Sequence, residues 1–479
     1  MKTHPISKRL GLLFGPLLFI IIQFFTPEII STQANSVIAM ACWMICWWIT
    51  EAVSISVTAL LPLFIFPLFK VMPMDEVGAN YGSPIVFLFF GGFVLALALE
   101  KVNLHKRIAL NIIKRTGTSP NRVVLGFMIA TGFMSMWISN TASTVVMLPI
   151  AMSVIKLLID DADGFTKNDK NFALSVMLGI AFSANAGGIA TVIGTPPNSV
   201  LIGLLENEYN IEISFVKWMV MGLPFSIILI AIIYWVLVKW MFPNHDMEFK
   251  ASKQFIDTEL KKLGKTSKKE RHVLIIFACI VFLWIFRSLI NSLLPALALS
   301  DTIISVLGAI ALFAIPFNLK TGNFVLQWND TEKLAWGILI LFGGGLALAN
   351  GMSATGIVDV VATAISNSNI SVLLMASALI FLMLFMTELM SNVALTAVLA
   401  PVVAGIALGL NIPILHLLIP VTIASSCAFM LPMATPPNAI VFASGHVKVS
   451  QMARVGIVLN IISVLLLITL FNFVLPLIF

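Results

Sequence analysis

Ser139-Asn140-Thr141 followed by Thr195-Pro196-Pro197-Asn198 is written twice in this chain, the second time as Ser391-Asn392-Val393 followed by Thr435-Pro436-Pro437-Asn438. The first elements are 252 residues apart and the second 240, and Phe90-Gly91-Gly92 recurs 252 residues on as Phe342-Gly343-Gly344. The sequence around these polar motifs is apolar enough for hydrocarbon. A polar motif duplicated in such a setting reads as two structural repeats around one central site, the plan of membrane transporters.

Of the 479 residues, 59% are hydrophobic and only 10% charged, and the mean hydropathy is +1.03. Such a chain is read as an all-α polytopic membrane protein. No small-residue cleavage pattern follows the first apolar stretch, so the first span is expected to be retained. The net charge of +6 sits in short loops between apolar segments, which points to membrane topology and away from nucleic acid. Cys42, Cys46, Cys279 and Cys427 lie in hydrophobic stretches without metal-ligand spacing and read as packing residues.

Eleven apolar runs of spanning length lie near 10–30, 36–53, 54–70, 82–100, 171–207, 215–241, 272–292, 299–317, 335–350, 413–445 and 452–477. Two further stretches, 121–158 and 371–407, carry an SN motif near the middle. At about 1.5 Å per residue, a straight helix of that length would be nearly twice the hydrocarbon thickness of roughly 30 Å, so each must fold back. They are either span pairs with a surface turn or re-entrant hairpins. Turns without Gly, Pro or charge favour re-entrant hairpins.

With the N-terminus cytoplasmic, 25 of the 28 Lys and Arg fall on that side, and the C-terminus ends outside. The odd number of spans sets the two halves in opposite orientations. The expected organisation is a first inverted repeat over 1–242, a cytoplasmic linker over 243–271 and a second repeat over 272–479. The basic segment Lys101 to Gly117 reads as an interfacial helix, and the linker as a bare connection.

Consecutive prolines at Pro196-Pro197 and Pro436-Pro437 should interrupt their helices in mid-bilayer. Unwound backbone is tolerated there only where it is buried or lines a cavity; its carbonyls can then hold a cation while fresh helix N-termini face an anion. Asn and Thr suit carboxylate oxygens, and their oxygens suit a hard monovalent cation. Between Arg122 and Lys156, between Lys170 and Lys217, and from Leu334 through Val447 there is no Lys or Arg. The charge of a multivalent anion there would have to be offset by co-bound cations and helix dipoles. Glu388, four residues before Asn392, is either a proton or cation site or a structural acceptor for nearby backbone. Glu51, Glu100 and Arg287 read as span-end or packing residues. The Gly91-Gly92 and Gly343-Gly344-Gly345 clusters read as close helix packing, since no P-loop Lys accompanies them. No Ser/His/Asp, HExxH or CxxC pattern appears, so an enzyme is not expected.

The paired SNT and SNV turns with the GTPPN and ATPPN breaks resemble those of the divalent anion/sodium symporter family, dicarboxylate and citrate carriers that include the bacterial INDY-like transporters. The resemblance implies a homodimer in which a scaffold anchors an elevator-like transport domain. It implies a first sodium site at Ser135, Ser139, Asn140 and the backbone of Gly188, and a second at Thr387, Asn392 and the backbones of Met390 and Ala434. Substrate carboxylates would meet Asn140, Thr141 and Asn392, with Thr195, Pro196, Thr435 and Pro436 lining the pocket. Val393 also stands at the substrate, where some members carry a second Thr. The implied function is sodium-driven import of C4-dicarboxylates such as succinate, fumarate or malate across the cell's inner (plasma) membrane. The alternative is a sodium-independent dicarboxylate or citrate exchanger of the same fold.

Overall fold

The computed structural model describes residues 6–25, 31–117, 119–159, 166–243, 250–318, 320, 322–367 and 370–479. The described residues form helices throughout, with one isolated antiparallel bridge between Asn318 and Asn323. Among the described residues seven helices are long and apolar enough to cross a bilayer, including Met74–Lys101, Phe215–Met241, Lys268–Leu293 and Val449–Ile478. Large apolar side chains such as Leu13, Phe64, Ile228, Leu374 and Phe473 are exposed, as a lipid-solvated surface requires.

Local chemistry sets where the helices begin. Thr166 and Asp169, and Ser267 and Glu270, form reciprocal capping boxes, while Ser214, Ser300 and Ser371 each accept a backbone N–H of the first turn. Both stretches bearing an SN motif fold back at that motif. Helix Pro120–Ser135 returns as Asn140–Ile159, and Val372–Met386 returns as Asn392–Gly409. The expected spans at 171–207 and 413–445 are each two helices, Lys167–Gly188 with Pro196–Tyr209 and Ile414–Ser425 with Pro436–Ala443. The paired prolines begin the second helix of each pair, with Thr195 and Thr435 at the N-cap. Their missing N–H groups fall where a helix has no internal acceptor.

The repeats interlock. Pro196–Tyr209 packs on Asn392–Gly409, and Pro436–Ala443 packs on both Asn140–Ile159 and Lys167–Gly188. Glycines permit the closest approaches. A Cβ at Gly187 would strike the backbone of Gly132, and one at Gly91 the backbone of Ser305; Gly344 lies equally close to Ala59. Close packing therefore accounts for the glycine clusters.

The 101–117 segment divides between the end of Met74–Lys101 and a separate helix, Leu104–Thr116, whose Leu104, Ala109, Leu110 and Ile113 are buried. The linker is more than a bare connection. Its part at 244–249 lies outside the described residues, but Lys250–Leu263 is a helix docked on Leu104–Thr116. Ion pairs fasten it: Lys106 to Glu259 at 3.0 Å, Lys114 to Asp257 at 2.7 Å, with Arg107 to Glu270 at 2.7 Å alongside. Arg287 pairs with Glu212 and Asp301, and Glu51 with Lys8.

Candidate substrate and cation site

Each SN turn closes on the end of the broken helix of its own repeat. In the first, the Ser135 hydroxyl donates to Ala184 O at 2.7 Å and lies 2.5 Å from the inward-facing end of the Asn140 amide. In the second, the Thr387 hydroxyl donates to Asn392 Oδ1 at 2.6 Å and to Ser425 O at 3.0 Å. Ser135 and Thr387, and Asn140 and Asn392, are separated by the same 252 residues as the SN motifs. In the second turn one proton serves two acceptors, so oxygen crowds oxygen.

In the first repeat more oxygens gather at the amide. The inward-facing end of the Asn140 amide lies 3.2 Å from both Ala184 O and Gly194 O and 2.5 Å from Ser135 Oγ. With nitrogen inward, the amide donates to these oxygens. With oxygen inward, four oxygens face one another, an arrangement that a cation makes favourable. Asn140 also touches Gly188, where a Cβ would meet Oδ1 at 2.5 Å.

The two breaks are stitched alike. Asn198 Nδ2 donates to Gly188 O at 3.3 Å and Thr191 O at 2.9 Å; Asn438 Nδ2 donates to Ala428 O and Leu431 O, both at 3.1 Å. These acceptors keep the 240-residue spacing of the TPPN motifs, which gives the final Asn its purpose: it satisfies the unwound carbonyls.

Elsewhere the repeats differ. Glu388, 3% exposed, accepts the N–H groups of Phe429 (2.8 Å), Met430 (2.9 Å) and Leu431 (3.0 Å) and the Asn460 amide (2.7 Å). Four donors on one carboxylate make the geometry of a strut for the second break, the structural acceptor of the two alternatives. Met136 occupies the matching position in the first repeat. There neutral groups hold the loop, through Thr191 Oγ1 on Met136 O at 2.6 Å and Trp218 Nε1 on Ile189 O at 2.9 Å.

Of the expected cation ligands, Ser135, Asn140 and Gly188 come together, as do Thr387 and Asn392. Ser139 is exposed, and its hydroxyl accepts the Ala142 N–H as a helix cap. Met390 and Ala434 are buried, but among the described residues no hydrogen bond ties either to Thr387 or Asn392. Of the expected substrate residues, Asn140, Thr141, Asn392, Val393 and Pro196 are half-buried, Pro436 is exposed, and Thr195 and Thr435 are almost covered at 3% and 4%. The carbonyls of Ala184, Gly194 and Ser425 are additions. Ala184 and Ser425 lie in the polar stretches ahead of each TPPN, but a backbone carbonyl leaves no mark on residue identity.

Residues 7–478 match the family model described as the sodium:sulfate symporter transmembrane region. The chain belongs to this family, the divalent anion/sodium symporters. The symporter family makes it a transporter and not an enzyme. Similar relatives include the sodium-dependent dicarboxylate transporter SdcS of Staphylococcus saprophyticus, 39% identical over 99% of this chain and 93% of that one. SdcS of Staphylococcus aureus strain USA300 is 38% identical over 100% and 93%. Among solved structures, Neisseria gonorrhoeae MtrF aligns with a TM-score of 0.58 at 14% identity, covering 98% of this chain and 95% of that one. The Alcanivorax borkumensis YdaH transporter aligns at 0.55 and 12%, covering 99% and 100%. These two are likenesses of fold alone.

Proposed function

We propose that this symporter couples inward sodium gradients to the import of C4-dicarboxylates such as succinate, fumarate and malate across the cell's inner membrane. The observation that carries the reading is the pair of oxygen clusters at Ser135–Asn140–Ala184 and Thr387–Asn392–Ser425, set in stretches without Lys or Arg. Hydroxyl, amide and carbonyl oxygens suit sodium, and its charge offsets that of a nearby dianion. The names of the staphylococcal relatives support the same reading.

Coupling follows from the two asparagines. A cation in the first cluster holds Asn140 Oδ1 inward, so Nδ2 is left outward as a donor to a substrate carboxylate. Asn392 Oδ1 is held inward by Thr387, with the same consequence. Thr141 and Val393 flank these amides, and the N-termini of Pro196–Tyr209 and Pro436–Ala443 present positive dipole ends, one for each carboxylate. Ser139, Met390 and Ala434 complete the proposed cation sites by way of oxygens, and Pro196 and Pro436 shape the pocket. The proposed frame is eleven spans and two re-entrant hairpins in inverted repeats over 1–242 and 272–479, with the N-terminus cytoplasmic and the C-terminus outside. A homodimeric scaffold anchors each transport domain, which moves as an elevator.

Uptake of labelled succinate into proteoliposomes tests this. An inward sodium gradient should drive accumulation, and potassium or choline in place of sodium should abolish it. Undiminished accumulation driven only by a counter-substrate gradient would make the protein an exchanger, and sulfate uptake without succinate uptake would overturn the substrate.

A further inference from the structure

The two TPPN threonines match in sequence and differ in their surroundings. Thr435 Oγ1 accepts the Asn438 N–H at 3.3 Å and, from the other repeat, Asn185 Nδ2 at 3.0 Å. Thr195 makes no side-chain cap. The matching stretch of the second repeat carries two serines: the Ser425 hydroxyl donates to Thr422 O at 2.7 Å, and the buried Ser426 hydroxyl finds no partner among the described residues. Among the described residues no side chain reaches Thr195 as Asn185 reaches Thr435.

The orientation of Asn185 follows from its neighbours. Asn438 spends its amide hydrogens on Ala428 O and Leu431 O, so its Oδ1 is the atom that faces Asn185, at 3.4 Å. Ala428 O lies 3.4 Å from the same Asn185 nitrogen. Three acceptors surround Nδ2, and turning the amide would set oxygen against oxygen. A threonine hydroxyl has two lone pairs and one proton. At Thr435 both lone pairs are engaged by N–H donors, so the proton leaves in the remaining direction, and no acceptor among the described residues takes it.

We propose that Asn185 is a positioning residue that fixes the Thr435 hydroxyl as a donor to the substrate, which makes the second-repeat end of the pocket the stronger anion-binding end. This rests on the reading of Thr435 as a pocket residue. Asn185 is also the neighbour of Ala184, whose carbonyl belongs to the first oxygen cluster. The substrate end built by one repeat is thus aligned by the helix that carries the cation end of the other.

The test compares the succinate KM at saturating sodium, the sodium half-saturation at saturating succinate, and Tm, for Asn185→Ala, Thr435→Ala, their double variant, Thr195→Ala and Thr435→Ser. Losing a hydrogen bond to a charged ligand weakens binding by roughly ten- to a hundredfold. Asn185→Ala and Thr435→Ala should each raise KM on that scale, with the double variant no worse than Thr435→Ala. Thr195→Ala should act less, sodium half-saturation should not move, and Thr435→Ser should keep both the wild-type KM and its sensitivity to Asn185→Ala. Should Asn185→Ala fail to fold, Asn185→Ser takes its place. Multiplying effects in the double variant, or a Tm change without a KM change, would overturn the proposal. Wild-type protein that neither binds nor transports succinate would instead overturn the functional reading beneath it.

Discussion

Replacing Glu388 by Gln separates a strut from a transported-ion site. The carboxylate accepts four N–H donors, three of them consecutive amides of the unwound 426–435 segment. In Glu388→Gln the remaining oxygen can stay with Phe429, Met430 and Asn460, but the new amide nitrogen then faces the Leu431 N–H, donor against donor. One bond is lost outright and three lose their charge assistance, for a destabilisation of about 2–4 kcal/mol. Reversing the amide would be worse, because three donors would then face a donor. Thermal unfolding of the purified protein should show Tm lowered by several degrees, while uptake well below that temperature keeps its sodium dependence. Glu388→Ala leaves four buried donors without an acceptor, at about 1–3 kcal/mol each, and should not accumulate as folded protein. A Glu388→Gln protein that melts as wild type yet loses the sodium or pH dependence of uptake would refute this reasoning and make the carboxylate an ion carrier.

Asn140→Ala and Asn392→Ala should each weaken apparent succinate affinity by about one to two orders of magnitude. Thr387→Ala should shift sodium dependence first and succinate affinity only through linkage, as sodium titrations at saturating succinate would show. Gly187→Ala drives a methyl into the backbone of Gly132 and should cost about 1–3 kcal/mol, read as a lower Tm with unchanged sodium half-saturation in the protein that still folds. At the linker helix, Lys262 and then Lys106 hold the Glu259 carboxyl below its ordinary value. A lowered carboxylate pKa contributes stability in full above the ordinary glutamate value and loses it as pH falls through the lowered one. The protection of the Lys250–Leu263 amides, taken as the exchange rate relative to the intrinsic rate at each pH, should therefore be steady from neutral pH down to about 5 and fall below about 4. High salt should lower that protection too, by an amount that reflects under about 1 kcal/mol per pair.

Sequence alone determined the all-helical membrane plan, the duplication, and the places where the chain folds back or breaks, because each is written in local chemistry. Apolar runs demand helices in lipid, a run nearly twice too long must turn, and Thr-Pro-Pro begins the second helix of each broken pair. Ser135, Asn140, Thr387 and Asn392 were legible for the same reason, as polar side chains at equal spacing in apolar surroundings. Only the tertiary structure decided which oxygens face them. Ala184, Gly194 and Ser425 act through carbonyls, which every residue carries, and helix packing alone selects which carbonyl meets a given hydroxyl. It also supplied the partners of Glu388, whose sequence permitted either an ion site or a strut: the N–H groups of Phe429, Met430 and Leu431 come from the second break. The unequal threonines belong here as well. Thr195 and Thr435 sit in the same motif, and what separates them is Asn185, brought in from the opposite repeat by the packing of Lys167–Gly188 on Pro436–Ala443.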